Sequence, residues 1–175
     1  MKNFTKTFIS TILLAFLISI LPVFSMYSHA STQVKEDKNI VEIAKSDGRF
    51  NTLVEALNKA NLVNTLEGKG PFTVFAPTDD AFKKLPAGTL ENLLKPENKD
   101  TLKNILLYHV AKGNLSSADI LKLDGKKLTL LNGKTANITV KDGAVFINNA
   151  KIIITDIPAS NGTIHVIDAV LIPEK

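Results

Sequence analysis

The sequence of 175 residues contains no cysteine. That excludes disulfides, thiolate nucleophiles and thiolate metal sites in any compartment. The fold must then hold by its core alone, which a domain of this size can supply. Histidine is scarce too: His29 lies near the N-terminus, leaving only His109 and His165 further on. A nitrogen-rich zinc site takes two or three histidines with carboxylates or sulfur. These two would need Asp79, Asp80 or Asp168, and no tight ligand spacing joins them, so no metal and no cofactor is expected. No G-x-S-x-G elbow presents a serine nucleophile. No phosphate loop is present either, since Gly68-Lys69-Gly70-Pro71 lacks the spacing and opens a strand instead of a helix. Adjacent acids occur at Asp79-Asp80, where helix capping explains them more simply than a glycosidase pair.

Charge of one sign is also missing. Lys83-Lys84 and Lys126-Lys127 are short basic pairs in a chain of 21 basic and 17 acidic groups. A nucleic-acid protein would gather base on one face, usually with aromatics between. No nucleic-acid partner is expected.

What is present divides into three parts. Residues 1–30 read as a secretory signal: Lys2 and Lys6, an apolar run from Phe8 to Phe24, then Ser28-His29-Ala30. That run is short for a membrane span, which needs roughly 20 residues, and Pro22 interrupts it, so no stable span is expected after cleavage. Residues 31–38 are a polar, aperiodic leader. A single domain over 39–175 follows, expected outside the cell or, given an outer membrane, in the periplasm.

The first half of that domain reads as helical. Asn39 and Glu42 form a capping pair before Ile40, Ile43 and Ala44. Phe50, Leu53, Val54 and Leu57 recur at helical spacing. Phe72–Phe75 is a short strand stopped by Pro77, and Thr78 caps a helix with Asp79 and Asp80 in its first turn. Pro96 opens the longest helix, with Leu102, Ile105, Leu106 and His109 on one face. His109 on that apolar face reads as a buried, hydrogen-bonded residue. The second half reads as strands at 127–131, 135–140, 144–147, 151–157, 163–167 and 169–172, rich in Val, Ile and Thr. Asn132-Gly133, Asp142-Gly143, Asn148-Asn149 and Asn161-Gly162 separate them as tight turns. With Phe72–Phe75 that makes about seven strands, mostly antiparallel, in an α+β fold. Asn114-Leu115-Ser116, Asn137-Ile138-Thr139 and Asn161-Gly162-Thr163 match the glycosylation sequon.

Two stretches go beyond composition. Thr73-Val74-Phe75-Ala76-Pro77-Thr78-Asp79-Asp80-Ala81-Phe82 resembles the first signature segment of the fasciclin domain family. The stretch from Asn161 through Gly162-Thr163-Ile164-His165-Val166-Ile167-Asp168 to Pro173 resembles the second, and Tyr108-His109 matches the central tyrosine-histidine pair. The resemblance covers 39–173 and is closest in character to single-domain bacterial secreted members. It implies a β-sandwich or wedge packed with helices, in which Thr78, Asp79, His109, His165 and Asp168 are scaffold and His109 ties its helix to the first segment, through Asp79. It also implies an adhesion or binding module, non-catalytic, whose partner is an extracellular protein or a cell-surface or matrix component. In animal members the tyrosine-histidine region and an Asp-Ile pair are implicated in integrin binding. Tyr108, Asp156 and Ile157 occupy those places here, while Thr155 and Pro158 depart from the animal pattern. Two other readings compete. One is binding of a small apolar ligand such as a carotenoid, which some algal members carry and which requires an open aliphatic groove. The other is a hydrolase acting through Asp79 or Asp168.

Overall fold

The computed structural model describes residues 38–173. The signal and nearly all of the leader lie outside the described residues. Among those described, no helix is long and apolar enough to cross a membrane.

Three helices open the fold: α1 (Ile40–Asp47), α2 (Asn51–Lys59) and α3 (Val63–Leu66). The Asn39–Glu42 capping box forms as its spacing requires, with both side chains bonding backbone N–H groups at 2.8 to 3.0 Å. Strand β1 (Phe72–Pro77) then feeds α4 (Asp79–Lys83), whose first free N–H groups are met by Thr78: its Oγ1 accepts from the Ala81 amide at 3.2 Å. Next come α5 (Thr89–Leu93), a 3-10 turn (Pro96–Asn98) and α6 (Lys99–Leu107). Pro96 thus opens the turn, not the helix proper. Strand β2 (Val110–Lys112), α7 (Ser117–Leu121) and the strands β3 (Lys127–Thr129), β4 (Thr135–Lys141), β5 (Ala144–Ile147), β6 (Ala150–Ala159) and β7 (Gly162–Ile167) complete the described chain.

The strands form one seven-stranded sheet in the order β2-β1-β7-β6-β5-β4-β3. All pairings are antiparallel except β1 with β7, which run parallel from Phe72↔Gly162 to Pro77↔Ile167. A bridge between Ala111 and Leu130 brings the two ends of the sheet together, so it is nearly closed. The parallel pair is buried on both faces, the usual state of parallel strands. Val74, Ala76, Ile164 and Val166 face the helices, packing with Phe50, Leu53 and Leu106. Phe75 and Ile167 point the other way, into a second core with Tyr108, Ile138, Ile147 and Leu171.

The structure departs from the sequence reading in two strands. Residues 169–172 do not form one, although Val170 and Leu171 are buried. The Leu171 amide donates to the His109 ring at 2.9 Å instead of to a neighbouring strand. In its place β2 appears, three residues long, paired with β1 on one side and bridged to Leu130 on the other. The Asp142-Gly143 turn behaves as its residue types demand: both take positive φ, 52° and 75°, the pattern of a type I′ turn.

Candidate functional site

The polar residues singled out above share a destination: their side chains are spent on backbone, locally at Thr78 and across the chain at most of the others. His109 lies two residues past the end of α6 and is 2% exposed. Its Nδ1 lies 2.8 Å from the Ile105 carbonyl oxygen, and its Nε2 faces the Leu171 amide at 2.9 Å. A carbonyl can only accept and an amide can only donate, so the ring is neutral, with its proton on Nδ1. Burial pushes its pKa down to about 4, against a smaller upward pull from the Ile105 carbonyl. The His109 carbonyl in turn accepts from the Phe75 amide at 2.8 Å. One residue therefore joins α6, β1 and the chain after β7.

His165, in β7, is fully buried and stacked on Phe75, with ring centroids 5.7 Å apart. Its Nε2 lies 2.8 Å from the Leu115 carbonyl, and its Nδ1 accepts from the Asp156 amide at 3.3 Å. The same logic makes it neutral, with the proton on Nε2. Burial lowers its pKa, opposed by the Leu115 carbonyl and the Asp156 charge.

The acids behave alike. Asp79 does not reach His109, contrary to what the resemblance implied. Phe50, at the N-cap of helix α2, offers no capping side chain, and Asp79 supplies one from outside. Its Oδ1 accepts from the Thr52 amide at 2.8 Å and its Oδ2 from the Asn51 side chain at 3.1 Å. Burial raises its pKa, but these bonds outweigh that and hold it below the usual carboxylate range. Asp79→Ala should therefore lower stability by about 1 kcal/mol, the usual worth of a cap, read in urea melts; a wild-type midpoint would contradict this role. Asp168 accepts from the Lys151 amide at 2.8 Å and pairs with Lys84 at 3.1 Å.

Tyr108 is 3% exposed. Its hydroxyl donates to the Thr135 carbonyl at 2.8 Å and accepts from the Asn148 side chain at 3.0 Å. The ring is core, and only this hydroxyl end borders a surface hollow with Lys127, Asn137 and Asn148. Asp156 and Ile157 lie elsewhere, on an irregular stretch of β6. The β6–β7 register slips between Ile152 and Ile154 and again between Ile154 and Ile157. Asp156 takes a positive φ of 60°, and its carboxylate accepts from the Ser117 amide at the start of α7, at 2.8 Å. That bond lowers its pKa first, against a smaller effect of burial. Asp156 is exposed and Ile157 half-buried, and Ile153 and Ile154 stand 47% and 37% exposed just before them. The structure thus separates Tyr108 from the Asp156–Ile157 knuckle.

Two residues that sequence reasoning passed over carry similar weight. Asn161 accepts from the Ile40 amide and donates to the Leu66 and Gly68 carbonyls. It pins α1 and α3 to the start of β7, and its amide nitrogen is engaged in a way that a glycan would disrupt. Thr73, wholly buried, donates to the Gly113 carbonyl and accepts from the Leu115 amide. The signal for both lay in the signature segments, Thr73 as a polar residue inside the apolar strand β1 and Asn161 in the turn before β7.

Among the described residues, no group of three or more His, Asp and Glu is placed to hold a metal. A void lined by Ile40, Phe50, Leu57, Val74, His109 and Ile164 measures about 20 Å³. That holds a water-sized sphere.

A helix-backed, nearly closed sheet whose polar signature residues serve the backbone defines a scaffold-type α+β domain. A model of the Fasciclin domain family matches residues 48–173, and the chain belongs to that family. It is 51% identical over 134 residues to protein sll1483 of Synechocystis sp., covering 77% of this chain and 73% of that protein. Immunogenic protein MPB70 of Mycobacterium bovis is 35% identical over 149 residues, covering 82% and 74% respectively. The transforming growth factor-beta-induced protein ig-h3 of Sus scrofa is 40% identical over 134 residues, and this chain spans 19% of its length. A solved FAS1 domain pair from the insect cell adhesion molecule fasciclin I shares the fold, with a TM-score of 0.68 at 21% identity. The match covers 78% of this chain and 51% of that one.

Proposed function

We propose that this chain is a secreted or cell-surface adhesion module that recognises an extracellular protein or matrix component through its exterior, without catalysis. The observation that carries the reading is the commitment of His109, His165, Asp79 and Asp168 to structural partners, chiefly backbone. A general base or nucleophile must reach a substrate proton or carbon, and these groups are already occupied. Kinship with a named adhesion molecule points the same way.

The contact surface in this reading is the β6 knuckle, Asp156 and Ile157, with exposed Ile153 and Ile154 beside it. It joins apolar side chains to one carboxylate, the kind of mixed patch from which binding hot spots are built. Tyr108 contributes only through its hydroxyl end, at a separate hollow.

The test immobilises residues 31–175 and measures retention of cells or matrix extracts, against an Ile154→Ser/Asp156→Asn variant. Both positions are exposed, so folding survives. Retention should fall about tenfold, the loss expected on removing a hot spot of about 1.4 kcal/mol. Equal retention by both proteins would refute this surface. Turnover on ester or polysaccharide panels that vanishes in Asp79→Asn or Asp168→Asn would refute the non-catalytic reading.

A further inference from the structure

The bond between the Asp156 amide and His165 Nδ1 has a consequence for the β6 knuckle. Three segments meet at the His165 ring. Strand β1 presents the Phe75 ring, the chain before α7 presents the Leu115 carbonyl, and β6 presents the Asp156 amide. Of the charged groups around it, the Asp156 carboxylate acts on the ring. Asp119 and Lys122 of nearby α7 are paired with each other at 3.0 Å. The Asp156 backbone is held at a left-handed φ between register slips, a conformation that persists only while surrounding contacts enforce it. Among the contacts that do so are the ring nitrogen on its amide and Ser117 on its carboxylate.

Resting on the adhesion reading above, we propose that the Asp156–Ile157 knuckle is a pH-gated contact surface. Protonating His165 at Nδ1 turns an acceptor into a donor aimed at the Asp156 N–H. Two donors then face one another, and the knuckle has to move. The Asp156 carboxylate is the anion at hand, and it swings from the Ser117 amide to the new imidazolium. That frees the first amide of α7 and withdraws the knuckle from its partner. Nε2 keeps its bond to Leu115 throughout, so the ring stays in place while β6 shifts.

The direction of the gate follows from the ring's environment. Burial favours the neutral ring and lowers the pKa of His165 below its ordinary 6.5, so the surface is formed at neutral pH and released on acidification. The pKa of His109 is lowered further by burial, to about 4, and NMR follows the two rings individually.

Amide hydrogen exchange, corrected for intrinsic rates, tests the gate on the protein alone between about pH 7.5 and about pH 5. Protection at Ser117 and Asp156 should fall about tenfold, the worth of one backbone hydrogen bond, with the midpoint of the His165 ring measured by NMR. The Ile138 amide, bonded to Lys126, should keep its protection. His165→Gln should remove the pH dependence at both amides. Should that variant fold poorly, Asp156→Asn serves instead, and it should move the His165 midpoint downward. Titration of His165 with unchanged protection at Ser117 and Asp156 would overturn the gate, as would an undiminished effect in His165→Gln. Retention of the partner, measured at both pH values, separates the two readings. Retention lost with the amides supports gating. Amides that move while retention stays constant would show a titrating bulge outside the contact surface, and would sink the adhesive role of β6 instead.

Discussion

Gly162→Ala should abolish stable folding, or at the least cost about 4 kcal/mol, a loss confined to strain and overpacking that a core cannot relax. A Cβ built on Gly162 would lie 1.9 Å from the Phe72 carbonyl oxygen, and one on Gly70 would lie 1.9 Å from the Asn161 carbonyl oxygen. In both cases the obstacle is backbone, which cannot rotate aside as a side chain would. These contacts fall where the parallel pair begins, with Phe72 in register with Gly162 and its amide donating to the Asn161 carbonyl at 3.0 Å. Adding a methyl there pushes apart the strands on which both cores rest. Gly143→Asn is the control: its surroundings are open, and Asn is the side chain that tolerates its φ of 75° best after Gly. Urea denaturation should show the control within about 1 kcal/mol of the parent, with the Gly162 variant unfolded or nearly so. A cooperative, near-parental melt for Gly162→Ala would refute the close approach.

His109→Ala is the second large effect. It strands a buried amide at Leu171, which costs about 1 to 3 kcal/mol when left unpaired, while the Ile105 carbonyl keeps the Tyr108 amide, and it leaves a hole beside the 20 Å³ void. A loss of about 3 kcal/mol is expected. The same residue sets a pH dependence. The folded protein keeps His109 neutral down to about pH 4, whereas an unfolded chain protonates it near 6.5. Between those values the unfolded state binds more protons, so stability rises with pH. It is complete above about 6.5 and falls by about 3 kcal/mol as acid is added down to about pH 4. His165, shifted the same way, adds to the slope. Lower still, Asp119, whose bonds to Ser116 and Lys122 hold it at about 2, and the lowered Asp79 and Asp156 begin to lose their partners. His109→Gln, which cannot titrate, should start less stable and show a shallower slope between about pH 6.5 and 4. An unchanged slope would mean that His109 is accessible to protons in the folded state.

The fold's local devices were legible because they act within a few residues. Asn39 with Glu42, Thr78 three residues before Ala81, and Asp142-Gly143 each announce a cap or turn. The residues at 169–172 have the composition of a strand, but a strand needs a ladder, and the Leu171 amide had already been claimed by a side chain 62 positions away. Strand β2 failed for the opposite reason. Val110-Ala111-Lys112 has too few residues to show alternation and is a strand through its distant partners, β1 on one side and Leu130 on the other. Pairing at such separation also hid the parallel run of β1 with β7. For the candidate site, residue type told that His109 is buried but not which partners it takes. Asp79 was read correctly as an acid in a helix's first turn; its bonds to Asn51 and Thr52 of another helix depend on the tertiary fold. Ser116, met in the sequence only as part of a sequon, caps α7, where it and Asp119 form a box that the short apolar stretch behind it gave little reason to expect.

The central claim is that the polar signature residues hold the scaffold, leaving recognition to the exterior. The ring nitrogens of the two histidines test it most directly, through an imidazole nitrogen–proton NMR spectrum at neutral pH, with and without added zinc. The account predicts a neutral His109 protonated on Nδ1, a neutral His165 protonated on Nε2, and no response of either to the metal. A charged ring, the opposite tautomer, or a zinc-dependent shift at either residue would contradict it.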